Sequence, residues 1–323
     1  MKTLLLLLWA AQAASAWGGP CASPKASCLS WVFPPQGGKV AYYASHPLED
    51  AHPELDTAVI MIHGVLRDAD RYFKLTAKAA KKAGRRDTTL VLAPRFRGPE
   101  DKPAEPGELA WTSGWKVGRD AVGPAAVSSF EVVDALLSRL DKARYPALRQ
   151  VVVAGHSAGG QFVSRYVVVR GSAPSPAASV RYITANPSTY LYLDRRRPDA
   201  GGAFSVPAST TCLDFDEYQY GFEKSPRVVE ARAPAVREAN ARAADHILLL
   251  GETDVLEEYL DMSCGAMMQG PNRRARGEAY FRYLEEALPG HFTRLMMVPK
   301  TGHDAGDMFD SEPGREALFT GPR

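Results

Sequence analysis

Three residue types that cooperate in acyl transfer each stand just past an apolar run in this chain: Ser157, Asp254 and His303. A serine hydroxyl is a weak nucleophile at neutral pH. It becomes useful when an imidazole takes its proton and a carboxylate holds that imidazole in the correct tautomer. Ser157 lies in Gly155-His156-Ser157-Ala158-Gly159-Gly160, directly after Val151-Val152-Val153-Ala154. A β-branched run that stops on a glycine-flanked serine reads as a sharp strand-to-helix turn, with glycines where side chains would collide. The chemistry predicted is attack of Ser157 on a carbonyl carbon.

The acid and base follow from strand ends. His246-Ile247-Leu248-Leu249-Leu250 reads as a buried strand and delivers Gly251-Glu252-Thr253-Asp254. Asp254 lies furthest into that loop and is the expected acid, with Glu252 and then Asp261 as rivals. The last strand, Arg294 to Val298, runs into Pro299-Lys300-Thr301-Gly302-His303. His303 is the expected base, being the one histidine on a glycine-preceded loop directly after a terminal strand. Serine, aspartate, histidine is also the chain order in which such groups occur after a Gly-x-Ser-x-Gly turn.

Charge that develops on the attacked carbonyl oxygen needs fixed N–H donors. The amide of Ala158, at the start of the helix after the turn, is one expected donor. Thr57-Ala58-Val59-Ile60-Met61-Ile62 is another buried run and ends on His63-Gly64-Val65-Leu66, so Val65 or Leu66 supplies the second. His63 is read as a packing or substrate-lining residue, not as the base. Trp111 and Trp115, in the loop from Arg95 to Gly123, and Tyr190 are the expected substrate-lining aromatics, although core packing accounts for the tryptophans equally well.

These residues need a frame. Strand character at Lys39 to Ala44, 57–62, Thr88 to Ala93, 151–154, Val180 to Ala185, 246–250 and 294–298 alternates with helical spacing after Asp70, over Ala125 to Leu140 and after Ser157. Alternation of this kind implies a parallel sheet with helices on its faces. Residues 188–243 form the longest irregular stretch, rich in tyrosine, proline and glycine, and read as a cap held partly by Cys212.

At 323 residues, 45% apolar and a net charge of +2, the chain fits one large α/β domain. The near-balance of charge excludes the electrostatic footprint of a nucleic-acid binder. The local clusters Arg195-Arg196-Arg197 and Arg273-Arg274 read as solvated faces, with an anionic substrate as the minority reading. Lys2, Leu4 to Leu8 and Ala14-Ser15-Ala16 fit a signal peptide over 1–16, so a secreted or periplasmic protein is expected, with an uncleaved anchor as the alternative. No other stretch is apolar enough for stable membrane insertion. Residues 17–36 then read as an irregular N-terminal arm before a domain over 37–323. Four cysteines in an exported chain suggest two disulfides. Proximity favours Cys21 with Cys28 and Cys212 with Cys264, but three pairings are possible. Their spacing gives no support for a metal site.

The set Gly155-His156-Ser157-Ala158-Gly159, His63-Gly64, Asp254 and His303, each after its own strand, resembles the α/β-hydrolase superfamily from about Lys39 to the C-terminus. The resemblance implies a mostly parallel sheet flanked by helices, a cap insertion after the strand that follows the nucleophile helix, an acyl-enzyme intermediate and no cofactor. Within that superfamily the chain is similar to secreted esterases, lipases and polyester depolymerases. It departs from some esterases in having no His-Gly-Gly-Gly run. The expected partner is a small-molecule or polymeric ester, and the cap's tyrosines and charges tilt the reading toward aromatic, polar or short-chain esters. Acyl transfer to another acceptor, peptide cleavage, and a binding protein without catalysis are the alternatives; the oligomeric state is not readable.

Overall fold

The computed structural model describes residues 20–102, 105–170, 178–207 and 212–321. The expected signal segment, 1–16, lies outside them. In chain order the elements are β1 (Leu29–Val32), β2 (Val40–Ala44), β3 (Thr57–Ile62), α1 (Ala69–Lys82), β4 (Thr89–Pro94), α2 (Ser129–Leu137), β5 (Gln150–His156), α3 (Ala158–Val169) and β6 (Ser179–Ala185). There follow the two-residue strands β7 (Arg197–Pro198) and β8 (Phe204–Ser205), α4 (Arg227–Glu230), α5 (Pro234–Ala243), β9 (Asp245–Gly251), α6 (Cys264–Met267), α7 (Arg273–Ala287), β10 (Arg294–Val298), α8 (Ala305–Asp310) and α9 (Glu312–Phe319).

Eight strands form one sheet in the order β1-β2-β4-β3-β5-β6-β9-β10. The six from β4 to β10 run parallel, while β1 and β2 pair antiparallel at one edge. Alternate residues of each central strand enter different cores. Ala58, Ile60, Val151, Val153 and Leu248 join the cluster with α2, α3 and α7, whereas Val59, Met61, Val152, Ala154 and Leu249 pack with α1, α8 and α9. Both faces are covered, and this is why the strands read as unbroken apolar runs rather than as alternation. The expected α/β-hydrolase architecture is therefore the observed one.

The chain passes from β2 to β3, steps back to β4 between them, then crosses β3 to β5 and builds the other half through β6, β9 and β10. The carboxyl ends of β3 and β5 thus form the point where the winding reverses, which is where open α/β sheets put their ligands. Ser157 follows β5 directly.

Two expectations change. The N-terminal arm is not wholly irregular, because Leu29–Val32 adds an edge strand to β2 with Trp31 opposite Ala41. So short a strand between Cys28 and Pro34-Pro35 carries too little pattern to be read locally. The helix expected over 125–140 is shorter, 129–137. The Ser128 hydroxyl accepts the Phe130 amide while the Glu131 carboxylate accepts the Ser128 amide, and this reciprocal cap sets its start. Disulfides join Cys21 to Cys28 and Cys212 to Cys264, the pairing favoured by proximity. Among the described residues no helix is long and apolar enough to cross a membrane.

Candidate active site

Ser157 sits between β5 and α3 with φ 57° and ψ −116°, a conformation that L-residues rarely adopt. Close backbone packing enforces it. A Cβ on Gly155 would lie 2.3 Å from the Gly159 carbonyl oxygen, and one on Gly159 would lie 2.3 Å from the carbonyl oxygen of Ile62. The first turn of α3 therefore rests directly on the end of β3, with the Ser157 amide donating to the Ala185 carbonyl at 2.9 Å. Because the obstacles are backbone on neighbouring strands and cannot swing away, Gly159→Ala is expected to lower stability by about 3 kcal/mol or more. A urea transition with an unchanged midpoint would contradict this packing argument.

The structure brings Ser157, His303 and Asp254 together. The serine Oγ is 3.0 Å from His303 Nε2, and His303 Nδ1 is 2.8 Å from Asp254 Oδ2. A carboxylate only accepts, so Nδ1 carries the proton and donates to Asp254, leaving Nε2 to accept from the serine hydroxyl. Asp254 is buried, whereas His303 keeps 21% of its side chain exposed. The rival carboxylates are engaged elsewhere. Glu252 accepts the Lys300 amide at 2.7 Å, and Asp261 accepts the Tyr220 hydroxyl at 2.9 Å and the Ser263 amide at 3.0 Å.

The proposed oxyanion side is a tight turn in which the Arg67 amide donates to the Gly64 carbonyl at 3.1 Å, leaving the Val65 and Leu66 side chains exposed. Two groups brace it. Arg67, itself at φ 59°, donates to the carbonyls of Phe96, Trp111 and Thr112. His63 accepts the Phe96 amide on Nε2 at 3.0 Å and so donates from Nδ1 to the Gly64 carbonyl at 2.8 Å. Burial pulls the His63 pKa down to about 4, which keeps the ring neutral for that role. The amide of Ala158 opens α3, whose N-terminal dipole favours negative charge at that end. Outside the turn lies a polar cavity of about 540 Å³ lined by Tyr43, Val65, Leu66, Arg67, Asp70, Arg95, Glu100 and Asp101.

The substrate-lining expectations need correction. Trp111, Trp115 and His63 are buried together, with Trp115 and His63 ring centroids 4.5 Å apart and Trp111 donating to the Val127 carbonyl. Tyr190 is likewise buried and stacks on Tyr280 of α7 at 4.5 Å. Large aromatic rings gain more from the core under the loop than from facing water. The 188–243 segment turns Tyr192 and Tyr218 inward as well, and the Tyr218 hydroxyl donates to the Val117 carbonyl.

Several residues that hold the site gave no signal in the sequence. Asn186, at φ 43°, accepts the Gly251 amide at 2.8 Å and donates to the Gly302 carbonyl at 3.1 Å, so it ties the Asp254 strand to the His303 loop. His156, the variable position inside the turn, is buried with its ring centroid 4.6 Å from that of His303 and its Nδ1 3.2 Å from the Tyr72 hydroxyl. Burial, then the neighbouring His303, push its pKa well below the usual histidine value, so His156 packs beside the site as a neutral ring. The arginine clusters are not simply solvated: Arg197 is buried against Asp216, and Arg273 is buried against Asp254.

The fold and the Ser157 turn define a class, and the chain belongs to it: residues 59–317 match the Alpha/beta hydrolase family. Among solved structures it is similar to poly(aspartic acid) hydrolase-1 from Sphingomonas sp. KT-1, at 23% identity over 90% of this chain and 98% of that one, with a TM-score of 0.64. It is also similar to LpqC, a poly(3-hydroxybutyrate) depolymerase from Bordetella parapertussis, at 22% identity over 85% of this chain and 82% of that one, with a TM-score of 0.58. No curated protein matches the chain.

Proposed function

We propose that this member of the alpha/beta hydrolase family is a serine hydrolase that cleaves carboxylic esters through an acyl-enzyme. The observation that carries the reading is the continuous chain from Ser157 Oγ through His303 to the buried Asp254 carboxylate. In the forward step Ser157 attacks the ester carbonyl while His303 Nε2 takes the hydroxyl proton, and Asp254 stabilises the imidazolium that forms. His303 then returns that proton to the leaving alcohol as the tetrahedral intermediate collapses. Water, deprotonated by the same imidazole, attacks the acyl-serine and frees the acid. The Ala158 amide and an amide of the Val65-Leu66 turn receive the oxyanion.

The tyrosines on which an aromatic-ester preference rested face inward. The charged residues of the 188–243 segment leave the reading at polar or short-chain esters over long acyl chains. The two disulfides suit the export expected from residues 1–16.

Folded protein is expected to turn over short p-nitrophenyl esters with water as acceptor and with a maximum at short acyl length. Product analysis with an added alcohol or amine separates hydrolysis from transfer. Inactivity on every ester by protein of native circular dichroism would sink the reading in favour of a binding protein on this fold.

A further inference from the structure

We infer that Arg273 is a positioning residue of this site, holding the Asp254 carboxylate from the side that His303 does not use. The inference rests on the reading of Ser157, His303 and Asp254 given above.

Arg273 is the first residue of α7, behind Asn272, whose side chain caps the helix by accepting the Ala275 amide. That helix start lies against the loop that carries the acid. The Arg274 amide donates to the Asp254 carbonyl at 3.2 Å, and the Arg274 guanidinium donates to the Glu252 carbonyl at 2.9 Å. Arg273 reaches further in. Its Nη1 faces Asp254 Oδ1 at 3.4 Å and donates to the Leu256 carbonyl at 3.1 Å, while Nη2 donates to the Glu258 carbonyl. One guanidinium thus spans three residues of the acid loop. Both partners of the ion pair have fully buried side chains, at 0% exposure each.

A surface arginine would not be kept here for packing alone, since desolvating a guanidinium costs several kcal/mol unless a carboxylate and carbonyls receive it. The direction of the arginine's own shift agrees: burial lowers its pKa, opposed chiefly by Asp254. The Asp254 carboxylate is consequently fixed at both oxygens, Oδ1 to Arg273 and Oδ2 to His303. Rotation of the carboxylate would break both contacts, so the imidazole keeps its tautomer and its aim at Ser157.

The guanidinium also sets a positive charge directly against the Asp254 carboxylate. The other charged or titratable groups around His303 are Asp254 itself, the neutral His156 ring at the end of β5, Glu252 on the Lys300 amide, and Asp304, which is paired with Arg71 of α1 at 3.1 Å. Arg273 is thus the cation tied directly to the acid.

The test compares the parent protein with Arg273→Met and Arg273→Lys, each checked for fold by circular dichroism and thermal melting. The readouts are kcat and KM on a p-nitrophenyl ester and the rate of fluorophosphonate labelling across pH. Arg273→Met is expected to lower kcat about 100-fold with little change in KM, as misplacement of a catalytic group does. A fall in kcat at unchanged KM is what loss of aim at Ser157 gives and loss of a binding contact does not. Arg273→Lys keeps the charge but not the fork, so it should recover part of the loss, with kcat about tenfold below the parent. Folded Arg273→Met with parental kcat, or with a loss confined to KM, overturns the inference. Where the methionine variant does not fold, parental kcat in folded Arg273→Lys overturns it. A parent protein that is not labelled at Ser157 overturns the hydrolase reading, and the Arg273 inference with it.

Discussion

Ser157→Ala is expected to abolish ester turnover while leaving the fold intact. In serine hydrolases of this design, removing the nucleophile lowers kcat by about 10⁶, and what remains comes from binding and the oxyanion donors. The fold should survive because the substitution deletes one oxygen, whose bond is to the His303 ring and not to the backbone. The backbone amide still donates to the Ala185 carbonyl, and the flanking glycines still allow α3 to rest on β3. Alanine at φ 57° is no more strained than serine there. The measurement is kcat/KM on a short p-nitrophenyl ester, alongside a urea transition. Retention of more than about a hundredth of parental kcat, in protein whose midpoint is unchanged, would remove Ser157 from the nucleophile role.

Asp254→Asn is expected to be almost as damaging to rate and more damaging to stability. An asparagine in this place can turn its NH2 toward His303 Nδ1, which then becomes an acceptor. The proton moves to Nε2, where it faces the serine oxygen that must lose its own, and the comparable change elsewhere costs about 10⁴ in kcat. The second effect comes from Arg273. Neutralising Asp254 leaves a fully buried guanidinium without its anion, and breaking a buried pair from one side costs about 3–5 kcal/mol. Ser157→Ala and Asp254→Asn should therefore separate: both lose activity, but only the second shows a large fall in the urea midpoint. Asp254→Asn with parental kcat would hand the role of acid to another carboxylate, for which Glu252 and Asp261 are badly placed by their existing bonds.

What was legible in the sequence follows from how each feature is encoded. The central strands are buried on both faces, so β3, β5 and β9 appear as continuous apolar runs. The residues at strand ends, Gly155 to Gly159 at β5, Asp254 after β9 and His303 after β10, are short-range features. Arg273 was not legible, because adjacent arginines read as a solvated face. Its burial depends on the start of α7 meeting a loop nineteen residues upstream. Asn186 bridges segments 65 and 116 residues away, and nothing in Ala185-Asn186-Pro187 announces that. Trp111, Trp115 and Tyr190 are buried, which for the tryptophans is the core-packing alternative: an aromatic residue in a long loop looks the same in sequence whether it faces a ligand or the core.

The central claim is that Ser157 is a nucleophile poised to take an acyl or phosphonyl group. Treating the folded protein with a fluorophosphonate probe and mapping the modified peptide tests it most directly. One label per chain on Ser157, lost in Ser157→Ala and in protein unfolded by urea, is the predicted result. A native protein that stays unlabelled, or carries its label on another residue, would contradict it.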